Sequence, residues 1–303
     1  MPSAADSSPS GRGWAPASAL WSLRVVWVGL AVVGSLAIAD ATERRGAPAG
    51  TVTAVSWWLV VGVVLVATLV PGVLSLAVVR MSAILGVGAS AVALATGASP
   101  TLGGAMAALA VATAAVALSA EAGEAFVQGS AYGAEVRFPL RPPAALVPAA
   151  VVSTLLWVAA VVSAVVLLAD RQWALGGAIA ALGCASTWWV LRAHVRLGRR
   201  WLVLVPAGLV VHDEAILGET LMVQRTNLRM VRLALADTQA ADLTGPCGGH
   251  ALEVTVGEME LAVLRSMPGR PQGGAIHVQS FLVAPSRPGR VLRAIADRRM
   301  PTS

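Results

Sequence analysis

The side chains able to do chemistry in this chain are few, and their spacing argues against most reactions. His194, His212, His250 and His277 are scattered, with no i, i+4 pair and no carboxylate at metal-ligand spacing. Ordinary strand or membrane-flanking histidines are the favoured reading. Asp213 and Glu214 adjoin in a turn between predicted strands, where solvated acids are expected, and paired-carboxylate catalysis needs a second acid converging in space. No serine stands in a nucleophile-elbow pattern. Gly86 and Gly88 lie inside an apolar run, away from any strand-to-helix turn, so they form no nucleotide fingerprint. Cys184 and Cys247 fall on different elements, which argues against a disulfide or a thiolate metal site. The sequence therefore offers no catalytic residue, no metal site and no cofactor site.

Two clusters remain. The stretch EAGEAFVQGSAYGAEVRFPLRPP (121–143) holds the only tyrosine, Tyr132, with Glu121, Glu124, Glu135, Arg137, Phe138 and Arg141. A connection that only rejoins two helices could be far shorter. One reading is docking on the C-terminal domain or on a partner through Tyr132, Arg137, Phe138 and Arg141; the other is an interfacial loop held by Phe138 and snorkelling arginines. In the second cluster Arg192, Arg196 and Arg200 recur at i, i+4 and i+8 on one helical face, with Arg199 beside them. Each basic residue near an anionic leaflet contributes roughly 1 kcal/mol. Contact with anionic lipid head groups would hold the following domain against the bilayer, and the same arginines also serve as a topology signal.

The elements that position these clusters are mostly membrane spans. Hydrophobic residues make up 56% of the chain and charged residues 13%, against roughly 25% charged in soluble domains. Six nearly uncharged stretches are long enough for a hydrocarbon core of about 30 Å: 19–39, 52–79, 82–98, 101–119, 144–169 and 173–191. The first reads as an uncleaved anchor, although Ala37-Ile38-Ala39 has the shape of a signal-peptide cleavage site. The second is long enough to predict tilt or a kink at Pro71, and Arg80 closes it. Spans three and four are rich in Gly and Ala, which predicts a tight hairpin at the bundle centre. Spans two to six as drawn contain no ionisable side chain except Cys184, which argues against proton-driven transport.

All 22 basic residues are Arg, a usage that points to a GC-rich bacterial genome. The net charge of +6 is concentrated before residue 201, where 12 Arg stand against 7 acids. That excess flanks membrane spans and shows no aromatic-interleaved basic face, so the expected partner is the phospholipid bilayer rather than nucleic acid. Six spans place nine arginines on one side and Arg44, Arg45 and Arg171 on the other. The positive-inside rule then predicts a multi-pass bacterial plasma-membrane protein with both termini cytoplasmic.

Residues 1–18 read as a disordered leader, 192–200 as a basic connector, 201–299 as a β-rich domain and 300–303 as a tail. The domain reads as seven short strands, WLVLV, LVVHD, ETLMVQ, MVRLAL, HALEVTV, ELAVLRS and AIHVQSFLVA, closed by a helix in SRPGRVLRAIADRR. That order resembles the pleckstrin-homology-like fold.

With loop and domain together, the chain resembles a group of actinobacterial integral-membrane proteins rich in alanine, valine and leucine. The resemblance rests on GSAYGAEVRFPLRPP (129–143), RRWLVLVPAGLVVHDEAILGETLMVQR (199–225), DLTGP (242–246) and AIHVQSFLVAPSRPG (275–289). It implies membrane localisation and a bacterial pleckstrin-homology-like C-terminal domain, and it carries over no catalytic residue. The first hairpin turn, Pro206-Ala207-Gly208, lacks the basic residues of a phosphoinositide-binding loop. The expected function is a non-enzymatic membrane scaffold or adaptor whose domain binds a membrane or cytoplasmic protein partner, the leaflet surface or its own 121–143 loop. The alternative is a passive or partner-energised transporter or lipid-handling subunit.

Overall fold

The computed structural model describes residues 17–265 and 274–302, so the leader expected at 1–18 falls outside it except where α1 begins. Helices α1 (Ala17–Thr42), α2 (Ala47–Leu69), α3 (Val73–Ala95) and α4 (Pro100–Leu118) are followed by a short helix, α5 (Ala120–Gln128). Helices α6 (Val147–Ala169) and α7 (Trp173–Gly198) complete the bundle. All except α5 are long and apolar enough to cross a membrane. Each run stays helical because its prolines stand at the first turn of α2, α4 and α6, where a missing N–H costs nothing. Ser99 and Ser119 cap α4 and α5, accepting from the amides of Leu102 and Ala122.

The expected 52–79 span is corrected by the structure into two helices. α2 stops at Leu69 and α3 starts at Val73, with Pro71 in the break. Proline removes an N–H and clashes with the carbonyl one turn back, so it ends the helix outright here. Arg80 accordingly lies about two turns inside α3 instead of closing the second span. His194 likewise falls within α7, so the spans are not free of ionisable side chains.

Close approaches and indole hydrogen bonds hold the bundle. Trp27 Nε1 donates to the Val61 carbonyl and Trp57 Nε1 to the Ala31 carbonyl, so α1 and α2 exchange bonds across their contact. Gly34 makes room for this, since a Cβ there would sit 2.3 Å from the Trp57 ring. Gly103 lies as close to Leu94 in the α3–α4 hairpin, and Gly88 lets Val158 of α6 approach α3.

The C-terminal part folds as two four-stranded sheets. Strands β1 (Val136–Pro139), β2 (Arg200–Val205), β3 (Gly208–Asp213) and β4 (Leu221–Gln224) form one antiparallel sheet in that order. Strands β5 (Leu228–Leu233), β6 (Ala241–Asp242), β7 (Leu252–Leu264) and β8 (Gly274–Val283) form the other, in the order β5-β7-β8-β6. Helix α8 (Pro288–Asp297) closes the domain with Val291, Ala294 and Ile295 buried. The fold is thus a helical membrane bundle followed by a small β domain with a closing helix.

Two strands expected at HALEVTV and ELAVLRS are one, β7, whose register shifts between Thr255 and Glu260. A bulge there bends the strand without ending it. The domain recovers a strand from elsewhere, because β1 belongs to the loop between the fourth and fifth spans. The connector at 192–200 is also corrected. α7 runs on to Gly198 and β2 begins at Arg200, which leaves only Arg199 between span and sheet.

Candidate functional site

The chemistry-bearing residues converge where the loop enters the β domain. Val136, Arg137, Phe138 and Pro139 pair with Leu204, Val203, Leu202 and Trp201. Past β1 the chain continues along the seam between the sheets: the amides of Leu140 and Arg141 donate to the carbonyls of Arg200 and Ala284, and Ser286 donates to Pro139. Val136, Phe138 and Leu140 share one apolar core with Leu202, Leu204, Phe281 and Val291. The loop segment is therefore part of the domain interior.

Arg200 holds this seam. Its side chain is 1% exposed and meets Asp213 through Nε at 2.8 Å and Nη2 at 2.7 Å. It also donates to the carbonyls of Arg141 and Thr244. Four bonds satisfy a guanidinium that would otherwise be costly to bury, and they tie loop, β3 and the 242–246 turn to one atom group. That turn is preset by Asp242, which accepts from the Thr244 amide and hydroxyl at 2.7 Å each, and by Gly245 at φ 67°. A side chain at Gly245 would strike Ile216.

A second tie joins α5 to α8. Glu124, buried, lies 2.9 Å from Arg290 and 3.6 Å from Arg287, while Glu121 lies 3.2 Å from Arg287. Burial raises the Glu124 carboxyl above its ordinary value despite the two arginines that oppose the shift. Gln128 at the end of α5 accepts from the Arg137 amide at 2.8 Å and donates to the Glu135 carbonyl, which aims the chain into β1.

On the outer face of the first sheet, Arg137 stacks over Trp201 at 5.4 Å and Trp201 over His212 at 4.8 Å. Desolvation lowers the His212 pKa, partly opposed by Glu214 and Asp213 and reinforced by Arg199 and Arg137. Burial also lowers that of Arg298, which donates to the Ala134 carbonyl.

The residues singled out from sequence separate accordingly. Phe138 is buried in the domain core, and Arg137 pairs with Glu135 at 2.7 Å, not with an acid of the C-terminal domain. Arg141 donates to the His250 carbonyl. Tyr132 is 82% exposed and supplies no apolar docking contact. Arg192, Arg196 and Arg199 occupy the end of α7 and the residue after it, exposed, whereas Arg200 faces the core and cannot meet a lipid head group. The physical reason is that the helix ends at Gly198, so an i+8 position computed from Arg192 no longer lies on the helical face.

Sequence reasoning named Glu124 and Arg80 without these roles and passed over Gln128. Arg80 Nε donates to the Ala117 carbonyl at the end of α4, as Arg24 does to the Thr68 carbonyl at the end of α2. Both neutralise helix C-terminal carbonyls from within the bundle. The α5 segment did carry a signal, an N-capping Ser119 followed by apolar Ala122, Ala125 and Phe126 at helical spacing. Among the described residues no group of three His, Cys, Asp or Glu could hold a metal. Comparison with family models, curated proteins and solved structures yields no match.

Proposed function

We propose that the chain is a non-enzymatic membrane scaffold whose β domain is fixed to its bundle by its own loop, so that the outer sheet faces are presented to a partner in a constant orientation. The observation that carries this reading is the incorporation of Val136–Pro139 into the domain sheet beside β2. A domain meant to swing would be joined by one flexible tether, whereas this one is attached through β1, through α7 running straight into β2, and through the Glu124 ion pairs. The buried charges Glu124, Arg200 and Asp213 serve this attachment, as a platform requires.

The strand order, with a four-stranded meander, a second sheet and a closing helix, supports the pleckstrin-homology-like reading, its first strand being supplied from the membrane loop. Arg24, Arg80, Arg137, Arg141, Arg192, Arg196 and Arg199 lie in the half of the molecule that holds the domain, which supports a cytoplasmic domain and termini in a bacterial plasma membrane. The test is in-cell crosslinking and purification from native membranes, comparing wild type with a Phe138→Asp variant. A scaffold yields a stoichiometric protein partner that the variant loses. Wild-type protein recovered without any partner would contradict the reading.

One observation favours the lipid-handling alternative. An open apolar groove of about 410 Å³ is lined by α1, α2, α3 and α6, with Cys184 of α7, in the half of the bundle away from the domain. Its walls are chiefly Val, Ala and Leu, with Thr42, Thr53, Ser56 and Thr96 as the polar minority. Such a lining suits hydrocarbon and gives no hydrated path for a polar solute. A bound acyl chain detected in protein purified from native membranes would support this alternative.

A further inference from the structure

At the C-terminal end of α7, a recess of about 380 Å³ lies between that helix, the start of α3 and the β domain. Its polar wall brings together Arg192, Arg196 and Arg199 with Arg265 from the end of β7. The first three recur at i, i+4 and i+7, one face of the helix and the residue that follows it. Arg265 is 66 positions beyond Arg199 and is brought in because β7 runs back toward the bundle, where its Nη1 donates to the Glu214 carbonyl at 2.6 Å. One carboxylate, Glu214, faces these four guanidiniums, and it meets Arg199 at 3.3 Å. Among the described residues neither Arg192 nor Arg196 has an ion-pair partner.

The other wall is apolar. Leu74 at the start of α3 and Trp188 and Leu191 on α7 continue from the recess onto the outer surface of the bundle, where Leu74 and Trp188 are 56% and 62% exposed. A soluble anion would use the guanidiniums and leave this wall wet. A molecule with a phosphate at one end and acyl chains at the other would use both walls at once.

We propose that this recess binds the head group of one anionic phospholipid, with phosphate oxygens on Arg192, Arg196 and Arg265 and the upper acyl chains against Leu74 and Trp188. The proposal deepens the reading of a domain fixed at the leaflet surface. It rests on the placement of that domain beside α7 and is independent of any protein partner. A bound lipid would link the last span to β7 and complete the attachment made elsewhere by β1.

The test is native mass spectrometry of full-length protein in neutral detergent, titrated separately with phosphatidylglycerol, phosphatidylcholine and inorganic phosphate. One phosphatidylglycerol should bind at least tenfold more tightly than phosphatidylcholine, and inorganic phosphate should not displace it at comparable concentration. Arg192→Gln with Arg265→Gln should abolish this preference, at roughly a fivefold loss per arginine. Arg229→Gln with Arg293→Gln, on other faces of the domain, should leave it intact. Arg192→Lys with Arg265→Lys keeps the charge and should retain most of the preference, which separates head-group contact from misfolding. Equal binding of the two lipids, displacement by phosphate, or equal loss in the control variant would each overturn the proposal. Because purified protein is used, these outcomes are independent of whether a protein partner is found.

Discussion

The guanidinium of Arg200, first residue of β2, donates to the carbonyl oxygen of Arg141, 59 positions earlier in the loop between the fourth and fifth spans. The same group is paired with Asp213 at 2.7 Å in a site closed to solvent. One buried cation therefore fastens a membrane loop into a domain that follows two further spans. Removing one partner leaves the other charged and desolvated, which costs about 3–5 kcal/mol. Arg200→Met should lower the domain's unfolding midpoint sharply, and Arg200→Met with Asp213→Leu should recover much of it. A double variant no better than the single would show that the charge pair is not the source of the loss.

Phe138 and Tyr132 should behave oppositely. Phe138→Ala removes a ring from the shared core and is expected to cost about 3–5 kcal/mol, with faster proteolysis of the domain in detergent. Tyr132→Ala should change neither cleavage rate nor thermal stability, since the ring projects into solvent. Equal effects at the two positions would contradict the placement of the loop.

Gly34→Ala tests the bundle. The new methyl would sit 2.3 Å from the Trp57 ring, whose Nε1 is held by the Ala31 carbonyl at 3.2 Å. Overpacking of this kind costs about 1–3 kcal/mol. The helical unfolding transition should fall while the domain transition is unchanged.

His212 gives the domain a defined pH dependence. Its folded pKa lies below the ordinary value of 6.5, so the unfolded chain binds the proton more readily. Its contribution is complete above the unfolded pKa and is lost as pH falls from about 6.5 through the lower folded value. His212→Phe keeps a ring on Trp201 and removes the titration, so its domain stability between pH 7 and pH 5 should fall less than that of wild type. Parallel pH profiles would assign the acid sensitivity elsewhere.

The membrane half was readable in the sequence because six long apolar runs admit few other folds. Its errors were local. Arg80 resembles a span terminator until Pro71 is allowed to end α2, after which the arginine falls inside α3 and satisfies the end of α4. The domain core was legible from the short apolar, β-branched runs WLVLV and LVVHD, but β1 was not. VRFP is four residues between glycine- and proline-rich stretches, and its partner lies more than 60 positions away across two spans. Arg200 was misread for a related reason: its spacing from Arg192 has helical meaning only while the helix lasts, and a strand begins at Arg200 itself. Long-range pairing, not local propensity, decided both.

Hydrogen exchange of the full-length protein in lipid nanodiscs, followed by mass spectrometry, tests most directly whether the loop completes the domain. Amides of Arg137, Phe138, Leu140 and Arg141 should be protected as strongly as those of Leu202–Leu204 and should open together with them in denaturant. Exchange of these four amides at the rate of exposed Gly133 and Ala134, while 202–204 stay protected, would contradict the account.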